Sequence, residues 1–304
     1  MKKDFLMMAD FTREEILQAF EIAKDMKKDR AKYAHSLEGQ SLALIFEKPS
    51  LRTRTTFDIG FQQLGGNTIY LSPAEINLGK RESVYDVAKN LERMVQGIMI
   101  RTFGHDIVDD LSEYAKITII NGLTDYSHPC QGMADYLTFL EYKGGFEGKK
   151  LTYVGDGNNV AHTLMEGGAL LGVDVTIGCP RGFEPNLRAY LHATELAKKT
   201  GAKIEVVYDP KEAVKGADAV YTDVWASMGQ EAEAKERDRI FRPFQVNEEL
   251  MACAKSDAIF MHCLPAHRGD EVTSPVVDAP YSVVFPEAEN RLHAQKAVMY
   301  MLMK

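Results

Sequence analysis

The chain has 304 residues, enough for about two domains of ordinary size. Hydrophobic residues make up 45% and charged residues 26%, as in folded globular proteins, so the composition excludes a disordered or fibrous chain. Acidic residues outnumber basic ones 44 to 36, and the net charge of -8 argues against a nucleic-acid partner. An anionic ligand would therefore need a local basic site.

The cysteines and the apolar runs limit the class of protein further. The four cysteines form no C-x-x-C pair, so the sequence predicts neither a metal site nor a disulfide framework. The N-terminal apolar run is short and interrupted by acidic residues, and no run approaches the roughly 18 apolar residues of a membrane span. We expect a cytoplasmic protein with no membrane partner.

Hydrophobic periodicity predicts alternating helices and strands in the first half of the chain. A T-x-x-E capping box at Thr12–Glu15 starts the first helix, and further helices are predicted near 53–64, 82–95 and 106–115. The strands predicted in this half are Leu42–Phe46, Thr68–Leu71, Ile98–Arg101 and Ile117–Ile120. This alternation is typical of βαβ units with a parallel sheet.

The second half repeats the pattern after a break in composition. A helix predicted from about Pro129 to Tyr142 leads into a segment rich in glycine and lysine, where we place the boundary between domains 1–146 and 147–287. The later strands are predicted at Leu151–Val154, Val173–Ile177, Ile204–Val207, Ala219–Thr222 and Ala258–His262. The predicted fold class is α/β, with two doubly wound parallel-sheet domains joined by interdomain helices. Ligands of such domains bind beyond the carboxyl ends of the strands.

The first predicted strand runs into a basic segment that suits a phosphate group. Ser50 is placed as the N-cap of the next helix, and it is followed by Leu51, Arg52, Thr53 and Arg54. A helix N-terminus offers backbone N–H groups and the positive end of the helix dipole, to which arginines add charge. The alternative is a capped surface helix with solvated arginines. Two arginines among several hydroxyl groups favour the anion site.

Polar side chains also follow the next strand ends. Arg101 ends the third predicted strand, while His128 and Gln131 flank Pro129 at a helix start after the fourth. These side chains are able to hydrogen-bond a carbonyl or amide group of a ligand. Singly, each is better explained as a surface charge or a helix cap, but their adjacent strand ends favour a shared site.

The second domain opens with a glycine turn that invites a dinucleotide-binding interpretation. A G-D-G-N-N turn at 155–159 follows a strand and opens a helix. Val160 occupies the third glycine position, however, and the next strand ends without the acid that holds a ribose. A nicotinamide cofactor is therefore disfavoured, and we expect no cofactor. The turn instead predicts that Asn159 or Asn158 binds a polar small molecule.

The last two strand ends combine an acid with a thiol. Asp223 is followed by the only tryptophan and by Ser227 and Met228, and Cys263 follows the last predicted strand. A carboxylate beside a thiol would suit an amine substrate. The alternative assigns the tryptophan and Met228 to the core and makes Cys263 an inert buried cysteine.

Five motifs, taken together and in order, resemble those of a known enzyme family. They are S-x-R-T-R at 50–54, the strand-end Arg101, H-P-x-Q at 128–131, D-x-x-x-S-M-G-Q at 223–230 and H-C-L-P at 262–265. From about residue 5 to its end, the chain resembles the carbamoyltransferases. The last two motifs are similar to those of the ornithine branch, whereas the first and third are shared with the aspartate branch.

The resemblance implies a substrate contact for each motif. The phosphate of carbamoyl phosphate would be held by Ser50, Leu51, Arg52, Thr53 and Arg101. The carbonyl and amide of carbamoyl phosphate would meet His128 and Gln131, and its pocket would be completed by Cys263, Leu264 and Arg291. The amino-acid part of L-ornithine would bind Asn159 or Asn158, Asp223, Ser227 and Met228.

The resemblance also implies an organisation. The first domain would bind carbamoyl phosphate and the second ornithine, while a C-terminal helix at about 288–304 would pack back on the first domain. The family is homotrimeric, so we expect active sites near subunit interfaces. Asn77 stands where many relatives have a glutamine contributed by a neighbouring subunit; although it is one methylene shorter, we include it among the carbamoyl phosphate contacts. Leu51 also departs from the common threonine or methionine, which matters little if only its backbone N–H is used.

The implied reaction is attack of the ornithine δ-amino group on the carbamoyl carbon, giving L-citrulline and phosphate, in arginine synthesis or breakdown. Arg101 and His128 would stabilise charge on the carbonyl oxygen, and Arg52 would anchor the leaving phosphate. Asp223 and Cys263 would orient the amine, whose proton would pass to the phosphate or to Cys263. These four, Cys263, Asp223, Arg101 and His128, are the predicted catalytic residues.

Two alternatives remain within this fold. One is a binding protein that kept the fold without activity, and the other is a putrescine or acetylornithine carbamoyltransferase. Asp223 with Ser227 and Met228 favours a substrate with an α-amino acid end, which putrescine lacks. The charged segment 229–242 is predicted to be a mobile loop.

Overall fold

The computed structural model describes residues 3–226 and 233–304. The chain divides into two units, one formed by Met1–Ala134 with Glu289–Lys304 and the other by Asp135–Ala288. Each unit is built on one parallel sheet, of four strands in the first unit and five in the second. The predicted α/β fold class with two parallel-sheet domains is therefore confirmed.

Four strands form the sheet of the first unit. They are β1 (Ser41–Phe46), β2 (Asn67–Leu71), β3 (Gly97–Arg101) and β4 (Thr118–Leu123). Their order is β2-β1-β3-β4. All of β3, and all of β1 after Ser41, is buried, because helices cover a parallel sheet on both faces.

Three helices in the described part of the first unit, those that follow Thr12, Ser50 and Ser83, begin at side-chain caps. The N–H of Glu15 donates to Thr12 Oγ1 at 3.2 Å and the N–H of Thr12 donates to Glu15 Oε2 at 2.8 Å, which is the predicted capping box. The helices are α1 (Arg13–Lys28), α2 (Leu51–Gln63), α3 (Pro73–Ile76), α4 (Val84–Leu91) and α5 (His105–Tyr114), with 3-10 turns at Met8–Asp10 and Ala31–Tyr33.

A β-bulge lies at the carboxyl end of β3. Ile100 pairs with Asn121, but the next residue, Arg101, pairs with Leu123. Gly122 is therefore the extra residue of the bulge. A Cβ atom at Gly122 would lie 3.1 Å from the carbonyl oxygen of Ile100, so glycine suits this close approach of two strands. The irregularity lies directly beside Arg101, the residue predicted to bind phosphate.

The strand order of the first unit reverses direction between β1 and β3. At such a switch point the connections leave the two strands toward opposite faces, so a crevice opens at the carboxyl edge. β1 leads into Ser50 at the start of α2, and β3 ends at Arg101. Both predicted phosphate-binding segments therefore border this crevice.

Five strands form the sheet of the second unit. They are β5 (Lys150–Val154), β6 (Asp174–Gly178), β7 (Ile204–Val207), β8 (Ala219–Thr222) and β9 (Ile259–His262). Their order is β7-β6-β5-β8-β9, with the switch point between β5 and β8. Val154 pairs with Thr222 and Thr222 with His262, so three neighbouring strands end at one level. This register brings the glycine turn, Asp223 and Cys263 to the same edge.

Two long helices, α6 (Pro129–Lys143) and α13 (Val284–Met303), contain residues of both units. The other helices of the second unit are α7 (Asn159–Leu171), α8 (Leu187–Ala197), α9 (Pro210–Val214), α10 (Ala234–Phe241), α11 (Glu248–Met251) and α12 (Ser274–Val277), with a 3-10 turn at Arg242–Phe244. Within the described ranges, no helix has both the length and the apolar character that crossing a membrane requires.

Helix α10 corrects the predicted loop at 229–242. Residues 229–232 lie outside the described part of the chain, but the rest of the segment is helical. Arg237 of α10 is 8% exposed and donates to Asp156 Oδ2 at 2.8 Å and to the Trp225 carbonyl oxygen at 2.9 Å. The high charge of the segment therefore reflects a helix held by a buried ion pair, together with its solvated face.

The glycine turn after β5 is explained by packing. The N–H of Gly157 donates to the Phe183 carbonyl oxygen at 2.9 Å, and a Cβ atom at Gly157 would lie 2.2 Å from the backbone nitrogen of Pro185. Gly155 has a φ of 149°, which side-chain-bearing residues rarely adopt. The two glycines thus have structural reasons that do not involve a pyrophosphate group.

We expect Gly157→Ala to lower the free energy of unfolding by about 2 kcal/mol or more, because the added methyl group meets rigid backbone. Urea denaturation of the variant measures this loss. The matched control is Gly145→Ala, where the new Cβ atom meets nothing within 4 Å. Equal stability of the two variants would show that the turn does not depend on this close approach.

Candidate active site

The N-terminus of α2 forms one part of the candidate site. The N–H of Thr53 donates to Ser50 Oγ at 3.1 Å, so Ser50 is the N-cap that the sequence predicts. Leu51 is 76% exposed, as expected of a residue used through its backbone, and Arg52 beside it is partly exposed. The Arg54 guanidinium carbon instead lies 3.8 Å from the centre of the Tyr70 ring, so the two arginines of the motif have different surroundings.

Arg291 of α13 is buried, with 2% of its surface exposed. Its guanidinium group donates to Gln131 Oε1 and, at 3.0 Å, to Thr53 Oγ1. Gln295, one turn later, accepts from Arg291 at 2.8 and 3.0 Å when its amide oxygen faces the guanidinium group, and its amide nitrogen then donates to Thr56. These bonds offset the desolvation of a buried charge and fix the guanidinium group against α2 and the first turn of α6.

His128 lies among three arginines and is 5% exposed. Burial lowers the pKa of the His128 imidazole well below its usual value, and the guanidinium groups of Arg291, Arg101 and Arg52 lower this pKa further. The imidazole is therefore neutral at pH 7. One of its nitrogens carries a hydrogen, so His128 offers a hydrogen-bond donor in a place where the positive charge comes from the arginines.

Asn77 stands apart from this group. It ends α3 with φ 47° and ψ 58°, a left-handed conformation that asparagine tolerates better than most residues. The residue is exposed. Its backbone N–H donates to the Pro73 carbonyl oxygen at 2.9 Å, and its carbonyl oxygen accepts from the N–H groups of Lys80 and Arg81 at 3.0 and 2.9 Å.

Asp223 follows β8 in the second unit and is 7% exposed. Its Oδ1 accepts a hydrogen bond from Cys263 Sγ at 3.0 Å, and its Oδ2 accepts one from Asn158 Nδ2 at 2.9 Å. Asn158 Oδ1 in turn accepts from the N–H groups of Val160 and Ala161, which makes Asn158 the N-cap of α7. The helix thus orients the Asn158 amide, and the amide orients the carboxylate.

The thiol of Cys263 is a hydrogen-bond donor. Although part of the residue is exposed, its sulfur atom has a buried environment, and this burial raises the pKa of the thiol well above its usual value. The Asp223 carboxylate raises the same pKa further, and Glu287 and Asp135 add smaller contributions. Cys263 is therefore protonated at neutral pH and lacks the thiolate of a nucleophilic cysteine.

His262, which precedes Cys263, is held through both ring nitrogens. Its Nδ1 accepts from the Leu264 N–H at 2.8 Å, so its Nε2 carries the hydrogen and donates to Glu271 Oε1 at 3.2 Å. Glu287 Oε2 accepts the backbone N–H of His262 at 3.0 Å. Leu264 has a φ of 58°, and the bond to His262 helps to hold this sparsely populated conformation.

Among the residues that the structure describes, two groups of side chains have the composition of a metal site. Asp223, His262 and Cys263 place ligand atoms within 4.8 Å of one another. Both nitrogens of His262 and the thiol hydrogen are already engaged, so this donor set fits hydrogen bonding better than metal ligation. The second group consists of His267, Asp270 and Glu271.

The remaining predicted ornithine contacts are Asn159, Ser227 and Met228. Asn159 is the first residue of α7 and is partly exposed next to Asn158. Ser227 and Met228 lie outside the described residues. Asn158 and Asp223 are brought together by a hydrogen bond, as are Asp223 and Cys263.

The sequence did not identify the residues that hold the predicted ones in place. Gln295 holds Arg291, Glu271 holds His262, and Glu287 holds the backbone before Cys263. The sequence does carry a signal for one further buried acid, Asp135, which interrupts an otherwise apolar run in the helix predicted from Pro129. An acid inside an apolar helical stretch is expected to have a specific partner.

Comparison with known protein families gives two matches that cover most of the chain. The carbamoyl-P binding domain of the aspartate/ornithine carbamoyltransferases matches residues 3–141. The Asp/Orn binding domain of the same family matches residues 147–302.

Individual relatives match over nearly their whole length. The ornithine carbamoyltransferase of Thermococcus kodakarensis is 54% identical over 303 residues, covering 99% of this chain and 96% of the relative. The solved structure of the Pyrococcus furiosus ornithine carbamoyltransferase is 52% identical with a TM-score of 0.96, covering 99% of this chain and 97% of that one. An acetylornithine transcarbamylase complexed with acetylcitrulline matches with a TM-score of 0.89 over 99% of both chains, but at 31% identity.

The fold is therefore common to ornithine and acetylornithine enzymes, whereas the higher identity lies with those named for ornithine. Both family models and the full-length relatives agree with the motifs read from the sequence. The chain belongs to the aspartate/ornithine carbamoyltransferase family, and within it to the ornithine carbamoyltransferases.

Proposed function

We propose that the protein transfers the carbamoyl group of carbamoyl phosphate to the δ-amino group of L-ornithine, giving L-citrulline and phosphate. The observation that carries this proposal is the neutral His128 among Arg52, Arg101 and Arg291. The arginines suit a phosphate dianion, and the uncharged imidazole suits the carbamoyl oxygen. The curated relatives from Thermococcus kodakarensis and Pyrococcus horikoshii, at 54% and 52% identity, are named ornithine carbamoyltransferase, which supports that amine as the acceptor.

The carbamoyl phosphate contacts are assigned as follows. The phosphate is bound by the N-terminal turn of α2, with Ser50, Leu51, Arg52 and Thr53, and by Arg101. His128 and Arg101 donate to the carbamoyl oxygen, whose negative charge grows as the amine attacks. Gln131, Cys263, Leu264 and Arg291 complete this pocket. The buried hydrogen bonds of Arg291 support its role, because they fix the guanidinium group before the substrate arrives.

The chemical step forms a bond between the amine nitrogen and the carbamoyl carbon and breaks the bond from that carbon to the phosphate oxygen. The electron pair of the broken bond leaves on the phosphate, and the proton lost by the amine passes to the same phosphate. Cys263 is a poor acceptor for this proton because its thiol is already protonated. Its role is to orient Asp223 by donating to that carboxylate.

We assign the amino-acid end of ornithine to Asp223, Asn159, Ser227 and Met228. Asp223 offers a carboxylate to an ammonium group, and its two hydrogen bonds keep it in one orientation. Asn158 supports this arrangement indirectly, since its amide is used by the α7 N-terminus and by Asp223.

The biological setting is part of the proposal. The curated relative from Pyrococcus furiosus is named anabolic, which supports the biosynthetic direction. We propose a homotrimer with active sites near its interfaces, in which Asn77 reaches the site of a neighbouring copy; the exposure of Asn77 supports this role. The free cysteines support a cytoplasmic location. We propose 1–146 as the carbamoyl phosphate-binding domain and 147–287 as the ornithine-binding domain, with limits set by the composition break and not by the division between Ala134 and Asp135.

The first test is steady-state carbamoylation of ornithine, acetylornithine, putrescine and aspartate with carbamoyl phosphate. We expect kcat/KM for ornithine to exceed the others by at least about a hundredfold, because a site with fixed polar groups rejects analogues that leave them unpaired. A preference for acetylornithine or putrescine would refute the ornithine assignment. No turnover of any amine would refute the enzyme assignment.

Arg52→Lys should lower kcat/KM by roughly a hundredfold or more, because an ammonium group keeps the charge but cannot form the bidentate contact of a guanidinium group. The matched control is Arg54→Lys in the same turn, whose guanidinium group lies over Tyr70. We expect this second variant to keep kcat/KM within about threefold of the parent value. Equal losses in the two variants would contradict the assignment of the phosphate to Arg52.

Cys263→Ala should lower kcat by about tenfold or more and leave the dissociation constant of carbamoyl phosphate nearly unchanged, because Asp223 loses its donor. Cys263→Ser keeps a donor and should recover part of the loss. Cys253→Ser serves as the control for cysteine replacement. Isothermal calorimetry with carbamoyl phosphate, beside steady-state rates, separates the two effects. A parallel loss of binding and turnover would contradict the role of Cys263 as a hydrogen-bond donor to Asp223.

A further inference from the structure

Two buried acids of the second unit lie close to β8 and β9, the strands that end before Asp223 and Cys263. Asp135 of α6 and Glu287 of α13 both have 0% of their surface exposed. Tyr221 of β8 is equally buried, and its hydroxyl lies 3.4 Å from Asp135 Oδ1 and 3.2 Å from Glu287 Oε1. Glu287 Oε2 accepts the backbone N–H of His262. The reaction described above uses neither acid.

The surroundings of the two acids indicate the protonation of this pair. The Tyr221 hydroxyl lies near an oxygen of each acid but carries one hydrogen, so it donates to only one of them at a time. Two adjacent buried carboxylates would also repel each other strongly, as in pairs of acids that share one proton. In agreement, burial raises the pKa of Glu287 well above its usual value, and the charge of Asp135 and a hydrogen bond with it contribute.

The pair acts on Cys263 in two ways. Through the His262 N–H, Glu287 holds the backbone directly before the thiol. Negative charge on the pair also disfavours the Cys263 thiolate, because Glu287 and Asp135 both raise the pKa of the thiol. The titratable groups that surround the thiol are Asp223 after β8, Glu287 of α13, Asp135 of α6, Tyr153 of β5, Tyr221 of β8 and His262 of β9.

We propose that Asp135 and Glu287 share one proton and are positioning residues for Cys263. The shared proton leaves the pair with a single negative charge. Glu287 fixes the backbone at His262, and the remaining charge, together with burial and Asp223, keeps the Cys263 thiol protonated, so that the thiol donates to Asp223. The importance of this donor for turnover rests on the proposed function, but the shared proton and its effect on the thiol do not.

Isosteric amides test the shared proton directly. In Asp135→Asn or Glu287→Gln the amide replaces a protonated carboxyl group, so one negative charge remains on the pair. In the double variant D135N/E287Q that charge is removed. All variants are made on a Cys253→Ser background, because Cys130 and Cys179 are buried and Cys263 is then the one partly exposed cysteine among the described residues. The rate of alkylation by iodoacetamide is measured from pH 7 to 10.

We expect each single variant to react within about twofold of the background protein at every pH. The double variant should react about tenfold faster below the thiol pKa, because removing a nearby negative charge lowers that pKa by about one unit. Acceleration already in the single variants would mean that both acids are ionised, and an unchanged double variant would mean that the pair carries no charge. Either result overturns the proposal. The readout is independent of catalysis, so it stands even if ornithine is not the substrate.

A control and a second measurement separate this role from general stability. Asp218→Asn replaces another buried acid, at the opposite end of β8, where it accepts from the N–H of Lys150 at 2.9 Å. Its thiol titration should match the background protein whatever its stability. If the double variant does not fold, infrared difference spectra of the single variants decide: each should lose the band of one un-ionised carboxyl group at pH 7. Retention of that band in both variants would overturn the shared proton.

Catalysis adds a check on the positioning role. Glu287→Ala removes the acceptor for the His262 N–H and should lower kcat by about tenfold with little change in the KM for carbamoyl phosphate. Glu287→Gln keeps an acceptor oxygen and should restore kcat. If the amide and alanine variants are equally slow, Glu287 does not act by holding this backbone.

Discussion

Both sheets of the protein are covered on two faces, and this constraint confines polar chemistry to the edges where the strands end. The strands β1, β3 and β5 consist almost wholly of buried residues, so they offer no place for a charged ligand along their length. Each sheet also reverses its strand order once, and the polar segments follow the strands beside that reversal. Phosphate-binding and amine-binding groups can therefore occupy equivalent positions in two different sheets.

Control of protonation is the common property of the side chains at these edges. His128 is kept neutral by burial among arginines, while the Cys263 thiol is kept protonated by burial near acids. Burial disfavours the charged form of both groups, so it lowers the pKa of the His128 imidazole and raises the pKa of the Cys263 thiol. His128 and Cys263 are therefore both neutral hydrogen-bond donors. The fixed charges are left to arginine and to Asp223, which have hydrogen-bonded partners.

The sequence predicted the strands well, because parallel strands are continuous apolar runs with turn residues at their ends. The last strand, for example, was placed at Ala258–His262 and is found at Ile259–His262. The helix caps at Ser50 and Thr12 could also be predicted, because a capping residue and the helix start that it caps are adjacent in sequence. The helix at Ala234–Phe241 was missed because its stability depends on Arg237 reaching Asp156, which is distant in sequence. Likewise, no local sequence pattern predicts that Gln295 accepts from Arg291 or that Glu287 accepts from the His262 N–H.

The unit that contains Arg291 is discontinuous along the chain, since Glu289–Lys304 belongs with Met1–Ala134. Lys296 Nζ donates to Gln63 at 3.1 Å, and a Cβ atom at Gly60 would lie 3.1 Å from the Lys296 side chain, so α13 packs closely on α2. During synthesis, the N-terminal segment leaves the ribosome long before this helix exists. The cluster of Thr53, Gln131 and Arg291 is therefore completed only after α13 has been synthesised, and a product truncated before α13 would have the arginine-binding groups without their arginine.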